Sequence, residues 1–170
     1  MAQAEAEAKG LSVANSAHGQ LTQTLLFEMA QEWRLLGSRH EIYSAVTNLI
    51  NNAVRYTPQD GTVTCIWRPL SDGRLQFSVQ DTGPGIAPEH LPRLTERFYR
   101  VDRSRSRESG GTGLGLAITK HVMQRHGGEL RIESELGKGS TFSLIFPESR
   151  TLEVLQISSE IHLEVTHSSS

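Results

Sequence analysis

Three short motifs in the 170-residue chain contain residue types that bind nucleotides. They occupy residues 48–53 (NLINNA), 81–85 (DTGPG) and 110–116 (GGTGLGL). Each motif is a weak signal alone, because short glycine-rich strings recur by chance. Their joint occurrence in this order indicates a pocket for ATP.

The second and third motifs suit the two ends of such a ligand. Asp81 is a hydrogen-bond acceptor for the exocyclic amine of adenine, and Gly83 and Gly85 let the backbone approach the ring closely. The glycines at 111, 113 and 115 lead into a predicted helix, where free N–H groups and the positive dipole end favour phosphate. The simpler alternatives are a tight turn for the second motif and a glycine-rich hinge for the third.

The first motif places two amides one helical turn apart. Asn48 and Asn52 lie on one flank of the apolar stripe of a predicted helix over residues 41–56. An amide oxygen suits Mg²⁺, which takes one or two protein ligands and fills its shell with water and phosphate oxygens. Without the other motifs, surface or capping asparagines would be the simpler interpretation.

The elements around the motifs alternate between helices and hairpins. The stripe of the first helix contains Ile42, Ala45, Val46, Leu49, Ile50 and Ala53. Strands are expected at residues 62–68, 75–80, 129–133 and 141–146, and a second helix at 114–126 with the stripe Leu114, Ala117, Ile118, His121 and Val122. Because residues 75–80 alternate, their sheet has one buried face. The order predicts an α+β two-layer sandwich.

Composition and the histidines exclude several classes of protein. The net charge of −2 argues against nucleic-acid binding, and the single cysteine, Cys65, excludes a disulfide framework. No apolar run is long enough for a membrane span, which suggests a soluble intracellular domain. His40 lacks the setting of a phospho-acceptor, His121 is expected in the core, and His126 at a helix end.

Residues 86–109 interrupt the periodic pattern. Prolines occur at 84, 88 and 92, and a charged run follows at residues 97–107. A long polar insertion between two glycine-rich motifs is typical of a functional loop. We expect a lid over the nucleotide.

Together these residues resemble the catalytic and ATP-binding domain of bacterial sensor histidine kinases, within the superfamily that includes gyrase, Hsp90 and MutL. The resemblance spans residues 34–146. The family boxes are matched by residues 48–57 (N box), 81–86 (first G box), 97–100 (F box), 111–116 (second G box) and 137–141 (third G box). Residues 92–102 are most similar to PhoR-type phosphate-sensing kinases.

The resemblance implies a fold and a division of the chain. The fold is the Bergerat ATP-binding fold, with a mixed sheet covered on one face by about three helices and an ATP lid over about residues 86–112. The domain would span residues 22–148, with a strand near residues 22–28. Outside the resemblance, the composition of residues 1–21 predicts a partial helix and a polar, loop-like linker. Residues 149–170 would be an extension or tail, in which alternating apolar residues predict one or two further strands.

The resemblance also implies roles for the matching residues. Asn52 would ligate Mg²⁺, Asn48 would hold the phosphate and metal region, and Arg100 could reach the γ-phosphate. Phe98 would anchor the lid, and Thr141 would support the contact of Asp81 with adenine. The nucleotide-binding set would be Asn48, Asn52, Arg55, Tyr56, Asp81, Gly83, Gly85, Ile86, Phe98, Gly111, Thr112, Gly113, Leu114, Gly115, Leu116 and Thr141.

One position separates mechanisms within the superfamily. ATP-hydrolysing members carry a glutamate where this chain has Asn48, which cannot accept a proton at neutral pH. We therefore expect ATP to be held for transfer to a histidine on a dimerisation domain outside this chain, so that the fragment does not phosphorylate itself. The alternatives are a standalone ATPase and a nucleotide-binding interaction module.

The resemblance also implies partners and a location. A response regulator would be the downstream partner of the full-length protein, and neither nucleic acid nor direct membrane contact is expected. The location would be cytoplasmic, with the parent protein anchored in the inner membrane.

Overall fold

The computed structural model describes residues 11–14, 23–30, 32–101 and 112–153. The expected helix at the start of the chain, Gly111, the lid residues 102–110 and the tail beyond residue 153 lie outside the described residues.

Eight strands and two α-helices make up the described part of the chain. In order they are β1 (Leu11–Ala14), β2 (Thr24–Met29), β3 (Trp33–Leu35), α1 (Arg39–Tyr56), β4 (Thr62–Pro69), β5 (Leu75–Asp81), a first 3-10 helix (Pro88–Arg93), α2 (Gly115–Arg125), β6 (Glu129–Glu135), β7 (Gly139–Phe146), a second 3-10 helix (Glu148–Arg150) and β8 (Thr151–Glu153). The two predicted helices and the four predicted central strands are confirmed, with every end within two residues of its predicted position.

Six strands form one mixed sheet in the order β1-β2-β4-β5-β7-β6. Strands β2 and β4 are parallel because α1 connects them, and the other neighbouring pairs are antiparallel. The helical layer consists of α1, α2 and the first 3-10 helix, which contacts β6. This confirms the α+β sandwich with helices on one face.

The core lies between the sheet and the helices. The stripe of α1 is confirmed, since Ala45, Leu49 and Ala53 are fully or almost fully buried. Ser38 caps the helix, and its side-chain oxygen accepts from the N–H of Glu41. From the sheet, the same core receives Val63, Cys65, Phe77, Val79, Phe142, Leu144 and Phe146.

The expected stripe of α2 is wrong at Ile118 and His121 and right at Val122. Ile118 is 46% exposed and His121 is exposed, whereas Thr119, Val122 and Met123 are buried. The buried face therefore contains a polar residue, and Thr119 is accommodated because its hydroxyl donates to the Gly115 carbonyl at 2.9 Å.

His126 follows α2 and is 3% exposed, so it is more deeply buried than a simple helix-end residue. The Ser38 N–H donates to its Nε2 at 3.1 Å, so Nδ1 carries the proton and donates to the Val122 carbonyl at 2.8 Å. The ring therefore ties the end of α2 to the start of α1.

The uncovered face of the sheet is not uniformly exposed. Ser78 and Ser143 face each other across β5 and β7, and both are buried. The Gln76 side chain covers this pair by donating to the Ser143 hydroxyl at 3.0 Å. On this face, small residues in a row of longer neighbours are thus buried, and in the part of the chain that the structure describes no helix covers them.

Both ends of the described chain contribute strands. The loop expected near residues 10–20 is wrong at Leu11–Ala14, because β1 pairs with β2. Strand β8 pairs with β3. The sequence did not predict β3, whereas β8 confirms one extra strand after residue 149. Strands β1 and β8 therefore lie outside residues 22–148, the expected span of the domain.

Candidate nucleotide-binding site

Asp81 ends β5 on the helical side of the sheet. In register with it are the buried Val63 on β4 and Ser140 on β7. The Gly83 N–H donates to Asp81 Oδ1 at 2.8 Å. Burial raises the pKa of the Asp81 carboxyl, and backbone N–H groups of Gly83 and Ser140 oppose that rise. The arrangement presents a fixed, partly desolvated acceptor.

The structure does not bring Thr141 to Asp81. Thr141 pairs with Gln80, so its side chain lies on the uncovered face of the sheet, whereas Ser140 lies beside Asp81. This corrects the implied position by one residue. The sequence could have indicated this, because Phe142, Leu144 and Phe146 alternate toward the core and Ser140 shares their face of β7.

Ser134 on β6 connects the loop that follows Asp81 to the β6–β7 hairpin. Its Oγ accepts from the Ile86 N–H at 2.8 Å, donates to the Gly139 carbonyl at 3.0 Å and lies 2.9 Å from Ser140 Oγ. The end of the first G box is thereby tied to the β6–β7 hairpin. Sequence reasoning missed Ser134, because a serine in an alternating strand gives no signal.

Two glycines of these loops allow close backbone contact. A Cβ on Gly85 (φ 70°) would lie 2.0 Å from the Glu135 carbonyl oxygen. A Cβ on Gly139 (φ 122°) would lie 1.9 Å from the Asp81 carbonyl oxygen. A side chain at Gly85 would push the loop after β5 away from the end of β6, and one at Gly139 would push the end of β5 away from β7.

Asn48 joins the N box to the second G box. Its side-chain nitrogen donates to the Gly115 carbonyl at 3.1 Å and lies 3.5 Å from the Thr119 hydroxyl. With this geometry the amide positions the first turn of α2 against α1. Thr119 is a further site residue that the sequence did not indicate.

The remaining N-box residues occupy the same flank of α1. Asn52 is half-buried, and within the described ranges its amide has no hydrogen-bonding partner. Arg55 is exposed, and Tyr56 is half-exposed. The Tyr56 carbonyl lies only 3.0 Å from where a Gly83 Cβ would stand, so α1 ends directly against the first G box.

The N-terminus of α2 faces Asn48. Leu114 is the N-cap residue and makes no side-chain capping bond, and the first turn contains no acidic residue. The first N–H groups of the helix therefore keep the positive end of the dipole open to an anion. Leu116 is half-buried and packs against the core, Gly113 and Leu114 are half-buried, and Thr112 is exposed.

The F box contacts this loop through its backbone. The Phe98 N–H donates to the Gly113 carbonyl at 3.0 Å, but the Phe98 ring is 71% exposed. The ring therefore does not anchor this segment by burial. Tyr99 is the half-buried aromatic residue, and Arg100 is half-buried and has an interaction partner.

A shallow concavity of about 480 Å³ lies near the third G box. Thr64, Gln80 and Thr141 line it from the uncovered face of the sheet, and Asp81 also reaches it. Asn48 and Asn52 lie on the opposite, helical side. This concavity therefore shares Asp81, Ser134 and Ser140 with the site but does not extend to the two asparagines of α1.

The geometry thus joins the N box, the first and second G boxes and the F box on the helical side of the sheet. The chain matches the family described as Histidine kinase-, DNA gyrase B-, and HSP90-like ATPase over residues 37–150. The chain belongs to this family, and the site is an ATP-binding one.

The chain is also similar to individual named proteins and to solved structures. The chain is 54% identical over 120 residues to the phosphate regulon sensor protein PhoR of Pseudomonas aeruginosa, covering 71% of this chain and 27% of PhoR. It is 32% identical to the mycobacterial sensor histidine kinase MprB structure, with a TM-score of 0.63, covering 72% of this chain and 83% of that one. It is 31% identical to the full-length ShkA structure in complex with AMPPNP, with a TM-score of 0.64, covering 74% and 25%.

The chain thus spans about a quarter of the length of PhoR. None of the helices in the described ranges has the length and apolar character needed to cross a membrane. The same ranges contain no group of three or more His, Cys, Asp or Glu side chains placed to hold a metal ion.

Proposed function

We propose that this chain is the ATP-binding catalytic domain of a two-component sensor histidine kinase. It donates the γ-phosphate of ATP to a histidine on a dimerisation domain. The observation that carries the proposal is the Asn48 side chain, which binds the Gly115 carbonyl at the start of α2. A neutral amide bridges the two boxes at the position where hydrolysing members carry a general base.

Mg²⁺ fits the donor set of this site. The Asn52 amide is half-buried and has no partner among the described residues, so its oxygen is available as a single neutral ligand. Mg²⁺ needs only one or two protein ligands when phosphate oxygens and water complete its shell. When bound, the ion would neutralise phosphate charge and orient the transferable group.

The chain's own residues would act by positioning and charge stabilisation. Asp81 would accept from the adenine amine, with Ser140 and Ser134 holding the strand end in place. The open N-terminus of α2 would bind phosphate oxygens, with Arg55 and Tyr56 contributing from α1. Arg100 would stabilise charge on the γ-phosphate during transfer, and phosphoryl transfer needs mainly these two effects.

In this proposal the attacking nucleophile is a histidine outside this chain. Asn48 cannot activate water, so hydrolysis would be slow compared with transfer. The partners are then the histidine-bearing dimerisation domain of the parent kinase and, through it, a response regulator. With these partners, the domain would act in the cytoplasm.

Transfer in trans tests the proposal. The purified chain is mixed with labelled Mg²⁺-ATP and a histidine-bearing dimerisation domain from a sensor kinase, and acid-labile phosphate on that domain is measured. We expect label on the acceptor and none on a His→Gln acceptor. Rapid steady-state hydrolysis without acceptor would instead identify a standalone ATPase, and binding without transfer or hydrolysis an interaction module.

A further inference from the structure

Tyr99 is held by two side chains of the 3-10 helix Pro88–Arg93. The Tyr99 hydroxyl and His90 Nδ1 are hydrogen-bonded at 2.6 Å. The Arg93 guanidinium carbon lies 4.2 Å from the centroid of the Tyr99 ring, a distance at which a cation is attracted to an aromatic face. The ring is half-buried between them.

Arg93 is itself oriented by Glu96. The Arg93 Nη2 and the Glu96 carboxylate are 3.3 Å apart, and Arg93 Nε makes two further contacts with the same carboxylate at 3.4 and 3.3 Å. Both side chains are more than half exposed, so this ion pair adds little stability. Its effect is to hold the guanidinium group over the tyrosine ring.

The residue before Tyr99 has an unusual backbone. Phe98 has a φ of 66° and is the one non-glycine residue with positive φ in the described ranges. This conformation is unfavourable for a residue with a Cβ and persists only where surrounding contacts enforce it. It lets the Phe98 ring face solvent while the Tyr99 ring packs against the 3-10 helix.

The same segment is attached on its other side to the loop before α2. The Phe98 N–H donates to the Gly113 carbonyl at 3.0 Å. A Cβ on Gly113 would lie 3.0 Å from Phe98 Cα and 3.2 Å from the Tyr99 carbonyl oxygen, so the two backbones are in close contact. Residues 98 and 99 are thus fixed between the 3-10 helix and the second G box.

From this geometry we propose that His90, Arg93 and Tyr99, here named the tyrosine latch, are positioning residues for phosphoryl transfer. The latch fixes residues 98 and 99 against Gly113. It thereby fixes the position of the Arg100 backbone relative to the open N-terminus of α2. The inference rests on the proposed function of Arg100. Loss of the latch should therefore slow transfer, which needs Arg100 in place. It should leave nucleotide affinity nearly unchanged, because the N and G boxes provide the binding.

The test uses the whole chain and two readouts. AMPPNP affinity is measured by calorimetry, and the transfer rate to a dimerisation domain is measured in trans. Tyr99→Phe and His90→Ala should each slow transfer about three- to tenfold, as expected for loss of one hydrogen bond, with affinity changed less than about twofold. Tyr43→Phe is the matched control, because Tyr43 lies on α1 and is 71% exposed.

Three further comparisons separate positioning from general destabilisation. The double variant Tyr99→Phe/His90→Ala should be no slower than either single variant, because both remove the same bond. His90→Gln, whose amide can still hydrogen-bond to the Tyr99 hydroxyl, should recover part of the rate. In an Arg100→Ala background, Tyr99→Phe should have no further effect. Additive loss in that background, or equal losses of affinity and transfer, would overturn the latch.

Failure of the proposed function has a different signature. If the wild-type chain binds AMPPNP but transfers no phosphate, hydrogen exchange of the Phe98 amide becomes the readout. Faster exchange in Tyr99→Phe than in Tyr43→Phe would support the latch as the element holding residues 98 and 99. Unchanged exchange would overturn it.

Discussion

Replacing Asp81 with asparagine removes one charge and almost no volume. The Oδ1 atom that accepts from the Gly83 N–H at 2.8 Å can be retained by the amide oxygen. The amide nitrogen then points toward the proposed position of the adenine amine. Both groups are hydrogen-bond donors, so no hydrogen bond forms between them. Asp81→Asn therefore isolates base recognition from the shape of the loop.

The expected loss follows from the kind of hydrogen bond removed. A hydrogen bond to a charged, partly desolvated acceptor contributes about 1.5–3 kcal/mol, which corresponds to about a 10- to 150-fold weaker affinity. The loss should be specific to the six-position of the purine. The wild-type chain should prefer ATP to ITP, which has an oxygen there, and Asp81→Asn should largely lose that preference.

The same substitution should not destabilise the fold. Burial raises the pKa of Asp81 in the folded state, so its favourable contribution is complete at low pH and is lost as pH rises through the folded pKa. At neutral pH the wild-type chain carries the cost of a partly buried charge that asparagine avoids. The unfolding midpoint of Asp81→Asn should equal or exceed that of the wild type. Nucleotide affinity of the wild type should fall on acidification at a higher pH than for an ordinary aspartate.

Calorimetry with ATP analogues and thermal unfolding measure both effects. The matched control is Asp72→Asn, since Asp72 is an exposed carboxylate in the β4–β5 turn at the other end of β5. The control should bind ATP as the wild type does. Unchanged ATP affinity in Asp81→Asn, or an equal loss for ATP and ITP, would refute the adenine role.

Three further substitutions or labelling experiments test other parts of the site and core. Asn52→Ala should lose the Mg²⁺-dependent part of AMPPNP binding and change metal-free affinity less than about threefold, with the exposed Asn51→Ala as control; equal losses with and without Mg²⁺ would remove the metal role. Gly139→Ala should lower the free energy of unfolding in urea by more than about 3 kcal/mol, because its Cβ would lie 1.9 Å from a carbonyl oxygen. Gly137→Ala, also at positive φ but with no atom within 4 Å, should cost only about 1–2 kcal/mol, and similar losses at both glycines would contradict the steric argument. Burial raises the pKa of Cys65 to about 11, so a thiol reagent at pH 8 should label it only after unfolding, and prompt labelling of the folded chain would show that β4 opens.

The sequence predicted most of the fold because its main elements are strongly periodic. Helix α1 carries six apolar residues on one stripe, and no polar residue interrupts it. The stripe of α2 was partly misread because Thr119 in the helix and His126 directly after it are buried, with their polar atoms satisfied by nearby backbone groups. A hydrophobic pattern cannot show polar residues whose partners are supplied only by folding.

The sequence predicted those site residues that a motif identifies. It did not predict those whose position depends on the register of a strand. Asp81 and the paired glycines follow from the motif itself. The choice between Ser140 and Thr141 depends on which face of β7 each occupies, and the resemblance pointed to the wrong one. The contacts of Tyr99 with the 3-10 helix were missed because they join residues that show no shared periodicity.

The central claim is that the helical side of the sheet binds ATP with a metal held near Asn52. The most direct measurement is calorimetric titration of the chain with AMPPNP, with Mg²⁺ and with a chelator. We expect one binding site per chain, with affinity that increases when Mg²⁺ is present. An absence of binding under both conditions, or binding that Mg²⁺ does not change, would contradict this account.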